Sequence, residues 1–492
     1  MTQLCPPSLA ISLAVAALCA AAAPAQAAAP GNMISILEAM QGNTWQALNH
    51  NSFLDAALPE AMRASTGNPP STGNPGSVIY AWSSFAWDSQ RSELLIFGGG
   101  HANYPGNEIY KWSAASQNWG LASLPSRVVA IPAFNAEANF APVDGAMNAP
   151  TSAHTYDNNN YLPVADRMLV MGGAAFNSGG SFTLQVDANT SRFTGPYLFD
   201  PNRADPSKVG GTDGSGVNPA TLGGRMWQNR DLVAQGVSGL QFIEGTSAVA
   251  KENGKDAVYF SARSNGAIFT DLYRLRINEV ATPASDTLEK VGVYFNPAVN
   301  PSEAPIALGS AGYDPTSKLY VAVGGGNQPF VAWDMDTAPQ DNAAFGIAPT
   351  VVGGSFVWAP SMGVEFDPVR GVWLVWGGGG TVWALAAPAA GTIAGQWTLT
   401  KIADGSTFAQ GAAPLPVQTT GVRGKWHYAV DLDAFIALED SDQGNVWVYK
   451  PTGWVNPTAV PEPANWGLML AGLLLVAGIV GVRRRNADAG HA

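Results

Sequence analysis

His101, His154, His427, Tyr104, Tyr156, Asn107, Glu108 and Arg263 are the side chains of this 492-residue chain best suited to chemistry. His101 stands in Gly100-His101-Ala102-Asn103-Tyr104-Pro105-Gly106-Asn107-Glu108, where imidazole, amide, phenol and carboxylate crowd one short segment. Such groups hold sugar hydroxyls or move protons near neutral pH. His154 and Tyr156 lie two residues apart and would share one face of an extended strand, although Tyr156 suits core or channel lining better than proton transfer. Neutral imidazoles at His101, His154 and His427 are also candidate ligands for zinc or copper. Glu439-Asp440-Ser441-Asp442 is a candidate calcium turn, but its spacing is not that of an EF-hand loop. His50, in a polar N-terminal segment, and His491, at the C-terminal end, stay outside the candidate set. For each histidine alone, hydrogen bonding at a turn or strand end is the plain alternative.

Short strands must position these groups. Only 13% of residues are charged, against 55 Gly, 35 Pro and 16 Trp, a composition of tight turns and aromatic packing. No stretch sustains a long helical period. One unit recurs along the chain: a strand ending in an aromatic-Asp turn, an apolar strand ending in Gly-Gly, a third strand with Tyr or Trp, and a fourth near a Trp. The fullest copy runs from Tyr80 to Asp88, through Glu93-Leu94-Leu95-Ile96-Phe97-Gly98-Gly99-Gly100 and Asn107 to Trp112, to Asn118-Trp119. Tyr156-Asp157 leads likewise to Gly172-Gly173, Tyr313-Asp314 to Gly324-Gly325, and Phe366-Asp367 to Gly377-Gly378. Two weaker copies, Asp256 to Arg276 and Trp426 to Lys450, lack the glycine pair.

Apolar segments of about five or six residues fit strands and not helices. Recurrence at roughly fifty residues is the signature of four-stranded propeller blades; a sandwich of Gly-rich hairpins is the competing all-β arrangement. These residues resemble kelch repeats, the blades also found in the central domain of galactose oxidase, over most of residues 40 to 452. The resemblance implies an all-β propeller across residues 28–459. Six blades are expected, with a seventh possible in the long spacing between Gly173 and Asp256. Residues 200 to 225, rich in Gly, Pro, Asp and Asn, read as a long loop.

The last unit has three strands and no Trp-bearing fourth. Thr44-Trp45-Gln46-Ala47-Leu48 resembles Gln396-Trp397-Thr398-Leu399, so the N-terminal strand is expected to complete the final blade and close the ring. In a propeller, loops from second to third strand and from one blade to the next open on one face. His101 starts a loop of the first kind; His154 and His427 end loops of the second. All three should therefore share a face on three consecutive blades, with Arg263 at the position matching His101 one blade further round.

Two activities follow from resemblance to propeller enzymes. Some propeller-fold polysaccharide lyases use His, Tyr and Arg. By that likeness His101 or His154 would be the base, Tyr156 or Tyr104 the acid, and Arg263 the neutraliser of a uronate carboxylate. Galactose-oxidase copper chemistry needs a Cys-Tyr crosslink, and both cysteines, Cys5 and Cys19, fall in a leader segment. The competing reading is a glycan-binding or matrix protein, with Tyr104, Asn107, Glu108 and His427 as ligand contacts. No cofactor is assigned by any of these patterns.

The chain ends carry export features. Leu9 to Ala23 is apolar and Ala25-Gln26-Ala27 offers the small-x-small site of signal peptidase, so residues 1–27 read as a signal peptide, without the usual charged start. Residues 460–492 hold Val460-Pro461-Glu462-Pro463, an apolar run over 466–482 and Arg483-Arg484-Arg485. As a helix that run would be about 25 Å long, near the lower limit for crossing a bilayer, with the arginines held cytoplasmic. This order resembles the PEP-CTERM sorting signal of Gram-negative bacteria, which implies exosortase processing, a transient stay in the inner membrane and delivery to the cell surface or extracellular matrix. A plain C-terminal anchor is the alternative. A formal net charge of −12 argues against a nucleic-acid partner.

Overall fold

The computed structural model describes residues 31–459, except residues 60–73, 102, 132–138, 177–180, 188–189, 213–221, 233–239, 265–269, 294–307, 325–329, 338–346, 390–391, 417 and 440–441. The expected signal peptide and sorting tail lie outside the described residues. Among the described residues, no helix is long and apolar enough to cross a membrane.

Six antiparallel sheets stand around an axis, and the first strand of each faces it. These inner strands are Phe85–Asp88, Asn159–Leu162, Ser247–Glu252, Ser310–Asp314, Gly363–Asp367 and Trp426–Ala429. Each touches the next, and the sixth touches the first, so the molecule is a six-bladed propeller. Blades one, two, three, five and six each contain a four-stranded antiparallel path. Blade four shows three strands among the described residues. The segment Thr350–Val352 that follows them pairs in parallel with the outer strand of blade five, Thr398–Ala403.

The second strand of each blade explains the near-continuous apolar runs in the sequence. Successive side chains point to opposite sheet faces, and in a propeller both faces of a blade are buried against neighbours. Leu94 and Ile96 pack between blades six and one, while Leu95 and Phe97 pack between blades one and two. Met168 and Val170 meet Leu95 and Phe97, and Leu169 and Met171 turn to Val258 and Phe260 of blade three. The pattern repeats through Tyr320, Trp373 and Phe435, giving one apolar core per wedge.

Closure follows the expected route. Thr44–Ala47 pairs antiparallel with Val446–Lys450, from Thr44 opposite Lys450 to Ala47 opposite Trp447. Trp45 fills the wedge between blades five and six, with ring centroids 5.5 Å from Trp376, 5.6 Å from Trp426 and 5.0 Å from Tyr449. Trp397 fills the preceding wedge against Phe330 and Trp373, so the two tryptophans are equivalent in space as well as in sequence.

The turns between first and second strands form one face, here called the turn face. Each has a left-handed residue just before, or one residue short of, the second strand: Ser92, Asp166, Asn253, Lys318, Gly371 and Asp433. Such a residue completes a short hairpin turn. Arg91 joins two of these turns, donating to Asp88 in blade one at 2.6 Å and to both carboxylate oxygens of Asp166 in blade two at 2.7 Å. Arg370 repeats this between Asp367 of blade five and Asp433 of blade six. After its last strand the chain runs along this face, where Trp454 donates to the Leu432 carbonyl and the Val455 N–H to Asp433.

Candidate functional site

Loops entering the inner strands make the opposite face, and they share an unusual backbone. Trp82, Tyr156, Glu244, Leu308, Ser361 and Arg423 all have positive φ, each two or three residues ahead of its inner strand. Non-glycine residues visit this region at a cost of about 1–2 kcal/mol, and such residues cluster where a site is held in place. Neighbouring loops are tied in pairs here: Leu308 N–H donates to Glu244 O, and Arg423 N–H to Ser361 O.

Two of the expected histidines meet on this face. His154 is 6% exposed, and its Nε2–H donates to Asn103 Oδ1 at 2.8 Å. Its ring lies 4.8 Å from Trp82, 6.2 Å from Tyr156 and 6.4 Å from His101. Burial, and then the positive charges of His101 and Arg423, pull the His154 pKa down to about 3. His154 is therefore a neutral hydrogen-bonding imidazole at any physiological pH. Tyr156 is 5% exposed, beneath the Arg423 guanidinium at 6.0 Å from its ring.

Glycines make room for this arrangement. A Cβ on Gly100, which has φ +59°, would lie 2.1 Å from His154 N, and one on Gly173 would lie 1.9 Å from His154 O. The Gly-Gly signature thus ends the strand and also leaves the passage through which Ala153–His154 pairs with Ala174–Ala175. Beside Trp82 a cleft of about 460 Å³ opens between the loops entering blades five, six and one, lined by Trp82, Ser361, Gln418, Thr419 and Thr420 among others. Thr420 anchors the tryptophan: its hydroxyl donates to Tyr80 O at 2.6 Å and accepts from Trp82 N–H at 3.3 Å.

Other expected site residues lie elsewhere. His427 is the second residue of its inner strand, not the loop residue before it, and it lines a different cavity near the axis. There its Nδ1–H donates to Glu365 Oε2 at 2.9 Å. The expected cluster of three imidazoles does not form, and among the described residues no three His, Cys, Asp or Glu side chains are grouped to hold a metal ion. Tyr104, Asn107 and Glu108, expected to face a ligand, turn inward. Tyr104 and Tyr110 both donate to Glu108 Oε1, at 2.6 and 2.8 Å, and Asn107 accepts from Ser126 N–H and donates to Pro150 O. All three are at most 2% exposed. Arg263 is the next-to-last residue of the strand Lys255–Ser264, opposite Gln241 and Thr270, with its side chain outside the described residues. Asp440 and Ser441 of the candidate calcium turn also lie outside them, and Glu439 accepts from the Trp447 indole.

Three residues that the sequence did not single out matter here. Trp82 and Arg423 sit in non-repeating loops and carried no signal. Glu365 carried one: it places a carboxylate at the position that Ala86 holds in blade one and Gly312 in blade four.

No protein-family description and no curated protein matches this sequence. Similar solved structures include an α-L-arabinofuranosidase from Fusarium graminearum in complex with an iminosugar inhibitor, at 12% identity and a TM-score of 0.43, covering 83% of this chain and 98% of that one. Another is the complex of KlAtg21 with the coiled-coil of AgAtg16, at 11% identity and a TM-score of 0.26, covering 63% of this chain and 81% of that one.

Proposed function

We propose that this chain is an exported propeller with kelch-type blades that binds carbohydrate in the cleft beside Trp82, at the surface or in the exopolysaccharide matrix of a Gram-negative bacterium. The observation that carries this reading is the cleft itself. A tryptophan whose backbone N–H is held by Thr420 and whose ring is backed by a neutral imidazole borders a depression edged by hydroxyls and an amide. An aromatic platform with neutral hydrogen-bonding groups is what a sugar ring with its hydroxyls requires. Signal peptidase would remove residues 1–27, and exosortase would recognise residues 460–492 as a PEP-CTERM signal after a transient stay in the inner membrane.

Binding is favoured over lyase chemistry by burial. Tyr156 and Tyr104 are 5% and 1% exposed, so neither candidate acid is open to a uronate, and the side chain of Arg263, the candidate neutraliser, lies outside the described residues. A panel of bacterial exopolysaccharides, immobilised and probed with the purified chain, tests the reading. Retention that is lost in Trp82→Gly supports it. Absence of retention, or release of unsaturated uronate products detected by their ultraviolet absorbance, overturns it. Mass spectrometry of the protein recovered from the cell surface tests the sorting step, with loss of the tail expected and an intact tail contrary to it.

A further inference from the structure

Among the described residues that line the Trp82 cleft, none carries an ionisable side chain. Trp82, Met362 and Pro416 give it carbon surface. Ser361 and Thr419 give it hydroxyls, each able both to donate and to accept a hydrogen bond. Gln418 adds a neutral amide, held by donation to Leu415 O at 2.8 Å.

Titratable groups of both signs stand behind this lining. Arg423 is 2% exposed, and its guanidinium donates to the Thr420 carbonyl while lying over the Tyr156 ring. A Cβ on Gly421 would lie 3.0 Å from Arg423 Nη1, so the cation sits against the backbone of Thr420 and Gly421 without itself lining the cleft. Glu439, which accepts from the Leu415 N–H at 3.4 Å and from the Trp447 indole at 3.1 Å, is 3% exposed. His154, behind the Trp82 ring, is buried and neutral.

A sugar ring with free hydroxyls would meet hydroxyls and an amide that exchange hydrogen bonds in either direction, and its C–H face would meet carbon. A uronate carboxylate would instead give up its water with no cation in contact, and an ionised group without a partner is the costliest to desolvate. The charge of the whole chain acts in the same direction. A formal net charge of −12 repels a polyanion before it arrives. We infer that the Trp82 cleft selects uncharged sugar units and rejects uronates, so the polymer it holds is a neutral glycan. This selectivity rests on the carbohydrate reading of the cleft and adds the substrate class.

Matched polymers test it. Carboxyl reduction of alginate, hyaluronan and xanthan turns each uronate into the neutral hexose at unchanged linkages. Both forms of each are immobilised and probed with the purified chain at about 0.15 M and about 0.5 M salt. At least one reduced polymer should be retained, about tenfold or more better than its acidic parent. The preference should persist at the higher salt, where repulsion by net charge is screened. Thr419→Lys, which puts a cation on an exposed wall residue, should raise retention of the acidic parent about tenfold or more, and Trp82→Gly should lose both forms. Equal or better retention of the acidic parents, still lost in Trp82→Gly, overturns the selectivity and leaves the carbohydrate reading standing. A preference that vanishes at the higher salt belongs to net charge and overturns the role of the cleft. Retention of no polymer in either form overturns the carbohydrate reading and the selectivity with it.

Discussion

The backbone N–H of Tyr156 donates to the carbonyl of Trp82 at 2.6 Å, and both residues have positive φ, 53° and 50°. The bond ties the entry loop of blade two to that of blade one at the rim of the proposed carbohydrate cleft. It also fixes the backbone beneath the tryptophan ring without using the ring itself.

That separation allows a clean test of Trp82. Glycine at this position is at ease at φ 50° and regains about 1–2 kcal/mol of backbone strain, against about 1.5–3 kcal/mol lost from ring burial. Trp82→Gly is expected to keep stability within about 2 kcal/mol of the wild type while lowering polysaccharide retention at least about tenfold. Urea denaturation and glycan retention measured on the same preparation check both halves.

His154 should resist protonation. Its folded pKa of about 3 lies below its ordinary value of 6.5, so the unfolded chain binds the proton more readily. The stability it contributes is complete above about pH 6.5 and is lost as pH falls toward 3. NMR of the imidazole should show no titration of His154 between pH 8 and 5, and His154→Gln should lessen the acid destabilisation. A His154 signal titrating near 6.5 would contradict the buried, neutral ring.

Asp431 shifts stability the other way. Burial raises its pKa to about 6 despite hydrogen bonds from Ser92 and Trp87. A carboxyl with a raised folded pKa gives stability that is complete below its unfolded value near 3.8 and is lost as pH rises through about 6. The size is on the order of 3 kcal/mol for two pKa units. Asp431→Asn removes this dependence, so the stability of the wild type relative to the variant should fall between pH 4 and pH 7. Chemical denaturation at the two pH values measures it.

Ring closure rests on Trp45 and the strand that carries it. Trp45→Ala leaves a cavity among Trp376, Trp426 and Tyr449 and should cost about 3–5 kcal/mol. Deleting residues 40–50 should destabilise the whole propeller, because it opens the wedge between blades five and six. Unchanged melting in the deletion would mean that the ring does not depend on this strand.

The architecture was legible because its signals are local and repeated. The Trp45 and Trp397 segments look alike in sequence because they fill like wedges, and Leu94-Leu95-Ile96-Phe97 is apolar throughout because both sheet faces are covered. The sites were only partly legible. His101 and His154 lie together on the face of the entry loops, but His154 is paired with Ala174 five residues ahead of the inner strand Asn159–Leu162 and does not open that strand as expected, and nothing in the spacing distinguished His427, one residue inside its strand, from a residue in the loop before it. Tyr104 and Glu108 read as an exposed polar loop, yet they bond to one another inside a wedge. A sequence lists polar groups without saying which of them satisfy each other.

Trp454 and Val455 hold the outgoing chain against the turn of blade six at Leu432 and Asp433. Any tether continuing from there departs from the turn face. Under the proposed anchoring through residues 460–492, the disc would present its turn face to the surface and its Trp82 cleft outward, to polymer arriving from the surroundings. While the tether persists, solutes would reach the turn face only through the gap between the disc and the surface, and cutting it would give both faces equal access.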